Sequence, residues 1–304
     1  MKILLFGKNG QLGWELQRSL APLGELVALD RHGEGGLCGD LTDRFGLINT
    51  ITQVKPDVIV NAAAYTAVDK AESEKVLAEK VNAEAPRIMA TTAERLGAWL
   101  IHYSTDYVFD GGGDVPWVET DPTGPLNVYG ATKLAGEQMV VSRCARHLVF
   151  RTSWVYAARG ENFAKAILRL AQQRDALRVI SDQIGAPTGA ELIADVTAHA
   201  LRTIRACPGL AGVYHLAASG EASWHAYARF VIDYARSKGK TFSVKTGAIE
   251  AIQASAYAPS STSAKRPANS RLDTRKLRTE FDLKLPDWRL GVERMLSEIL
   301  NEIR

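Results

Sequence analysis

With 304 residues and 46% apolar content, the chain can bury one large core or two smaller ones. Its formal net charge of +3 and the lack of any run of five or six Lys/Arg argue against a nucleic-acid partner. The start, "MKILLFGKNG", has one basic residue ahead of an apolar run of four before Gly7, too short for a signal-peptide core or a membrane span. No membrane partner is expected, and the expected location is the cytoplasm. Cys38, Cys144 and Cys207 are widely spaced with no CxxC, which reads as reduced, structural cysteine.

In chain order, short apolar runs predict strands at Ile3–Phe6, Leu26–Leu29, Val58–Val60, Trp99–Tyr103 and Leu148–Phe150. Between them, apolar residues at three- and four-residue intervals predict crossover helices over Gln11–Leu23, Arg44–Val54, Ser73–Leu96 and Val128–Arg143. That alternation predicts an α/β fold, a doubly wound parallel sheet of the Rossmann type, with a smaller C-terminal substrate-binding domain. The expected division is a dinucleotide-binding domain over 1–152 and a mainly substrate-binding domain over 153–304. Residues 190–218 are expected to return to the first, because Ala190–Arg205 is again amphipathic and Val213–Leu216 again strand-like. Pro and Gly at "QIGAPTG" (183–189) and the polar stretch "APSSTSAKRPANSR" (258–271) loosen the pattern of the second half.

"FGKNGQLG" (6–13) sets Gly7, Gly10 and Gly13 between the first strand and the first helix. There glycines permit the tight turn, the approach of backbone to a pyrophosphate and close helix–strand packing, with the helix N-terminus facing the phosphate charge. Gln11 and Leu12 belong to the same cradle. Asp30 ends the second strand, near where an acid binds the adenosine ribose, and Arg31 beside it suits a 2′-phosphate, so NADH and NADPH both stay open. Asp40 and Leu41 in "CGDL", and Ala62, Ala63, Ala64, Tyr65 and Thr66 in "NAAAYTAVD", follow later strand regions at the sheet edge where ligands collect. Asp69, in the same stretch, reads as a cap for the helix that follows.

"NVYGATKLAGE" (127–137) places Tyr129 and Lys133 four apart on one helix face. An ammonium beside a phenol favours the phenolate, which would bring the tyrosine toward acid–base work at neutral pH. "HYSTDYVFDG" (102–111) adds Ser104 and Thr105 at the end of the fourth strand. A hydroxyl, a tyrosine and a lysine behind a dinucleotide loop make a carbonyl-reduction site.

Taken with "FRTSWVYA" (150–157), "SDQIGAPTGAEL" (181–192) and "RPANSRLDT" (266–274), these motifs resemble the extended short-chain dehydrogenase/reductase family of nucleotide-sugar enzymes over nearly the whole chain. The resemblance implies NAD(P)H-dependent reduction of the C4 ketone of dTDP-4-dehydro-β-L-rhamnose, the last step toward the dTDP-β-L-rhamnose that feeds O-antigen and other cell-surface polysaccharide. It implies Tyr129 as proton donor, Lys133 as holder of the nicotinamide ribose that also lowers the tyrosine pKa, and Thr105 as the group bonded to the substrate oxygen. Tyr103 joins the cofactor contacts. Asp106, Trp154 and Arg271 are the implied substrate contacts, with Gln183, Pro187 and Thr188 toward the nucleotide end. Related dehydratases follow their threonine with Asp-Glu; here Asp106 precedes Tyr107, which argues for reduction without water elimination. The resemblance further implies a homodimer with Mg²⁺ at its interface, for which Glu15, Glu191 and Asp195 are the available carboxylates. Two alternatives stay open: a nucleotide-sugar epimerase or dehydratase that regenerates bound NAD, and a non-catalytic dinucleotide-binding regulatory subunit.

Overall fold

The computed structural model describes residues 1–256 and 263–302, so Pro259–Thr262 of the polar stretch, with Ala258 before them, lie outside the described residues. Six parallel strands form the central sheet: β1 (Lys2–Phe6), β2 (Glu25–Leu29), β3 (Val58–Asn61), β4 (Trp99–Thr105), β5 (His147–Thr152) and β6 (Gly212–His215). Their order is β6-β5-β4-β3-β1-β2, so the chain winds outward in both directions from the gap between β1 and β3. Loops leaving β1 and β3 diverge there and open the crevice in which doubly wound sheets hold ligands.

The strands are short because their apolar runs are short, and the inner ones, β1, β3, β4 and β5, are buried on both faces because helices cover both. α1 (Gln11–Leu20) and α6 (Ala190–Ala206) pack together over one face, closing a core that includes Leu5, Ile101, Phe150 and Tyr214. α2 (Arg44–Val54), α3 (Ala85–Leu96) and α4 (Val128–Arg143) cover the other, around Leu4, Ile59, Met89 and Val149. β6 pairs with β5, from Gly212 opposite Leu148 to His215 opposite Arg151. A second apolar core, with Tyr227 and Trp288 fully buried, lies among α5 (Phe163–Gln173), α7 (Trp224–Ser237) and α8 (Trp288–Glu302). Two-residue and four-residue strand pairs, such as Leu177–Ile180 with Ile249–Ile252, are its only sheet among the described residues. No described helix is long and apolar enough to cross a membrane.

Two predicted helices end or break differently, and proline explains both. The first gives way at Leu20 to a 3₁₀ turn, Ala21–Leu23, that carries Pro22. The span 73–96 divides into Lys75–Glu79, a π-helical turn Lys80–Glu84, and α3. Pro86 has no N–H to give to the carbonyl four residues back, that of Asn82. This carbonyl turns toward α4 instead, where a Cβ on Gly136 would stand only 1.9 Å from it. Gly136 is therefore the point at which the π turn and α4 meet.

Candidate active site

The β1–α1 loop is shaped for an anion. Gly7 has φ +88°, open to glycine, and a Cβ there would press on the Ala63 backbone at 2.8 Å; one on Gly13 would reach the Gly7 carbonyl at 1.9 Å. Gly10 differs: its Cβ would meet only the Gly7 carbonyl, at 3.4 Å, so the space beside it is left for something outside the chain. As N-cap of α1, Gly10 supplies no side-chain acceptor, and the N–H groups of Gln11, Leu12 and Gly13 have no protein partner among the described residues. Uncapped donors at the positive end of a helix dipole fit a dinucleotide pyrophosphate.

Around this cradle, Asp30 is held by the Asn9 amide (2.8 Å) and the His32 N–H (2.9 Å). Arg31, mostly exposed, bonds Asp40 through Nε at 3.2 Å. Burial works against the Asp40 carboxylate, but donors from Thr42 and Arg31 outweigh it and hold the group below the usual carboxylate range. Leu41 turns into the core, and Thr66 is exposed. The loop Ala62–Thr66 is pinned by a residue the motifs did not single out: Asn82, in the π turn, accepts from the Tyr65 N–H (2.8 Å), donates to the Tyr65 carbonyl (3.0 Å) and reaches Thr132 on α4 (3.2 Å). Tyr65 itself donates to Glu74. Asp69 does not cap its helix; it takes Arg266 at 2.8 Å and the Ala264 N–H at 3.0 Å, tying the β3 loop to the "RPANSR" segment.

α4 starts from a true cap, the Asn127 side chain accepting from the Gly130 N–H at 2.8 Å while its amide donates to the Lys265 carbonyl. Its first turns bring Tyr129 and Lys133 to the end of β4. The Tyr129 phenol lies beside the Thr105 hydroxyl, which donates to Asp106 Oδ1 (3.1 Å) and accepts the Tyr107 N–H (3.2 Å). Tyr107 sets its ring edge-on to Tyr129, centroids 5.6 Å apart, so the residue standing where dehydratases have glutamate forms a wall of the site.

The electrostatics correct one expectation. Burial pushes the Tyr129 phenol up to about 12, with the Thr105 hydroxyl opposing and Asp106 adding to the rise. Lys133 does not draw it down: Nζ donates to the Tyr103 carbonyl at 2.5 Å, and burial takes the ammonium itself to about 8, with Glu137 resisting. Removing both groups from water outweighs their proximity on the helix. Glu137, one turn beyond Lys133, is itself buried in an ion pair with Arg151 at 2.5 Å. Asp106, fully enclosed, is pushed by burial up to about 7 against hydrogen bonds from Ser270 and Thr105, and its Oδ2 is without a partner among the described residues.

The other expected contacts have partners of their own in the protein. The Tyr103 side chain faces the core and bonds Thr197 at 2.9 Å, so only its carbonyl serves the site. Trp154, at φ +50°, stacks on Trp224 with centroids 3.5 Å apart and is half-buried. Arg271 pairs with Glu221 at 2.7 Å. Thr188 is buried with its hydroxyl donating to the Ala186 carbonyl, a fold contact, and Gln183 is buried nearby in sequence. Glu15, Glu191 and Asp195 lie on α1 and α6 but do not form a metal cluster: no described group of three His, Cys, Asp or Glu is placed to hold one. Arg18 takes Asp195 (2.9 Å) and Glu15 (3.5 Å), and Arg294 takes Glu191 (3.4 Å).

Backbone donors at one side of the crevice and a Thr–Tyr–Lys set at the other make this a dinucleotide-dependent enzyme of the extended short-chain dehydrogenase/reductase class. Within that class the chain belongs to the family described as the RmlD substrate binding domain, whose model matches residues 1–301. It is 58% identical over 299 residues, 98% of each chain, to a dTDP-4-dehydrorhamnose reductase of Salmonella typhimurium, and 46% identical over 306 residues, 99% of this chain and all of the other, to one of Burkholderia thailandensis. The crystal structure of a dTDP-4-dehydrorhamnose reductase from Bacillus anthracis in complex with NADP superposes with a TM-score of 0.86 at 32% identity, covering 98% of this chain and 99% of that one.

Proposed function

We propose that Tyr129, Thr105 and Lys133 carry the reduction of the C4 ketone of dTDP-4-dehydro-β-L-rhamnose to dTDP-β-L-rhamnose, the last step of dTDP-L-rhamnose synthesis. The observation that carries this reading is the convergence at the carboxyl end of β4 of Tyr129, with the Thr105 hydroxyl and the Tyr107 ring beside it, and of Lys133, whose Nζ is held on the Tyr103 carbonyl. When bound, NADH or NADPH supplies the hydride to C4. Gly7, Gly10, Gln11, Leu12 and Gly13 would hold its pyrophosphate, Asp30 and Arg31 its adenosine end, and Ala62–Tyr65 would border it. Lys133, fixed against the Tyr103 carbonyl, would meet the nicotinamide ribose.

Thr105 donates to the substrate oxygen as charge develops there, and Tyr129 gives that oxygen its proton. A phenol near 12 stays protonated at neutral pH and is loaded for that transfer. Tyr107, Trp154 and Asp106 would shape the sugar site, and Arg271 would meet the diphosphate by exchanging Glu221 for phosphate oxygens. We further propose a cytoplasmic homodimer, with residues 1–152 and 190–218 serving the dinucleotide and the remainder mainly the sugar nucleotide. Mg²⁺ would then require carboxylates from both copies, since Glu15, Glu191 and Asp195 of one chain make no site.

The test is to supply dTDP-4-dehydrorhamnose and follow NADH and NADPH oxidation separately, identifying the product. One equivalent of NAD(P)H consumed per dTDP-rhamnose formed is expected. Turnover without consumption of added cofactor would instead favour the epimerase reading.

A further inference from the structure

The loop 157–162, which leads into α5 in the second half of the chain, closes on the phosphate cradle of the first. The Asn162 amide donates to Gln11 Oε1 at 3.3 Å, and a Cβ on Gly160, at φ +78°, would stand 3.0 Å from Gln11 Cγ. Arg159, beside them, meets the same turn: its Nε donates to the Asn9 carbonyl at 3.3 Å, and its guanidinium lies over the Trp14 ring, 4.2 Å from the centroid. Asn9 precedes the Gly10 N-cap, so this cation stands at the end of α1 whose N–H groups are open.

We infer that Arg159 is a cofactor-binding residue, reaching from the substrate half of the chain to the dinucleotide pyrophosphate. This rests on the dinucleotide-dependent reading above. Charge is the first argument. Of the cations that touch this loop or follow β2, Lys8 pairs with Glu34 at 2.8 Å and Arg31 with Asp40 at 3.2 Å. Arg159 has no carboxylate partner among the described residues, and Glu161, two positions on, is taken by Arg169 at 3.1 Å. A guanidinium and the positive end of a helix dipole repel each other, so their juxtaposition is unfavourable until an anion joins them. The doubly anionic pyrophosphate that the open N–H groups fit is such an anion.

Geometry is the second. The Trp14 face and the Asn9 carbonyl engage the guanidinium through its plane and its Nε, which leaves Nη1 and Nη2 for a two-pronged grip on phosphate oxygens. The loop beneath is stiffened on both sides of the arginine. Lys165 Nζ donates to the Ala158 carbonyl at 2.6 Å and to the Gly160 carbonyl at 2.8 Å, and the Asn162 amide also donates to the Ala157 carbonyl at 2.7 Å. A side chain already seated loses little freedom when a ligand arrives. Since NADH and NADPH share the pyrophosphate, Arg159 serves both alike, in contrast to Arg31, which faces the adenosine end.

The experiment is fluorescence titration of the full chain with NADH and with NADPH, for the wild type, Arg159→Met and Arg159→Lys, beside the Tm of each without ligand. Arg159→Met keeps a long side chain to lie on Trp14 but removes the charge, and should raise both dissociation constants by the same factor, about tenfold, with Tm near wild type. Arg159→Lys keeps the charge without the fork and should fall between the two. Raising salt from about 0.01 to 1 M should narrow the gap between wild type and Arg159→Met, because the lost interaction is ionic and exposed to solvent. Wild-type affinity in Arg159→Met would overturn the assignment, and so would a loss confined to NADPH. A loss that salt leaves unchanged and that comes with a lowered Tm would also overturn it, making the arginine a tie between loops. Failure of the wild type to bind either dinucleotide would sink the dinucleotide-dependent reading instead.

Discussion

Two helices begin at the same edge of the sheet and meet the ligand crevice in opposite ways. α1 starts on Gly10, with no side-chain cap and three backbone donors open. α4 starts on Asn127, whose side chain closes the end that α1 leaves bare. An open N-terminus offers backbone dipoles, which recognise a phosphate whatever the residues are, provided no Cβ intrudes. A closed N-terminus offers no such site and instead fixes the helix so that its side chains arrive in register. The contrast teaches that binding and chemistry here are divided between backbone and side chain.

The sharpest way to break that division is at α4. Tyr129→Phe keeps the ring and its contact with Tyr107 but removes the donated proton, and kcat should fall by about 10²-fold or more with NADPH affinity retained. Stopped-flow turnover beside fluorescence titration would show it, and wild-type turnover would refute the assignment. At α1, two neighbouring alanines should separate packing from phosphate approach. Gly13→Ala places a methyl against the Gly7 carbonyl and should cost about 1–3 kcal/mol of stability as well as binding. Gly10→Ala meets no close protein atom, so it should leave Tm near wild type while weakening NADPH by about tenfold. Equal losses of Tm in both would erase the distinction.

Smaller effects sharpen the picture. Asn127→Ala should lower stability by about 1 kcal/mol, read from denaturant melts, with kcat reduced by loosened positioning of Tyr129. Arg31→Ala should raise the KM for NADPH about threefold more than that for NADH, the modest size following from an exposed arginine already shared with Asp40. Identical KM changes would remove Arg31 from cofactor choice.

How far each feature could be read in advance follows its physical scale. Helix and strand periodicity is local, so Arg44–Val54 and Val128–Arg143 were legible to the residue, as were the starts of β1, β3 and β4 to within one position. The motifs also carried the candidate site, because a glycine triplet after a strand and a Tyr-xxx-Lys on a helix are chemistry written over a few residues. Asn82, Glu137–Arg151 and the Asp69–Arg266 tie were not legible, since each joins segments separated by many residues and neither partner's type announces the other.

By itself, then, the sequence determined the doubly wound α/β class, the phosphate loop and the residue types available for carbonyl reduction, all of which depend on short-range pattern. Only the tertiary structure decided their states. Burial, a property of the assembled packing, holds Tyr129 protonated, draws Lys133 onto the Tyr103 carbonyl rather than toward the phenol, and turns Asp106 from a charged contact into an acid near neutrality.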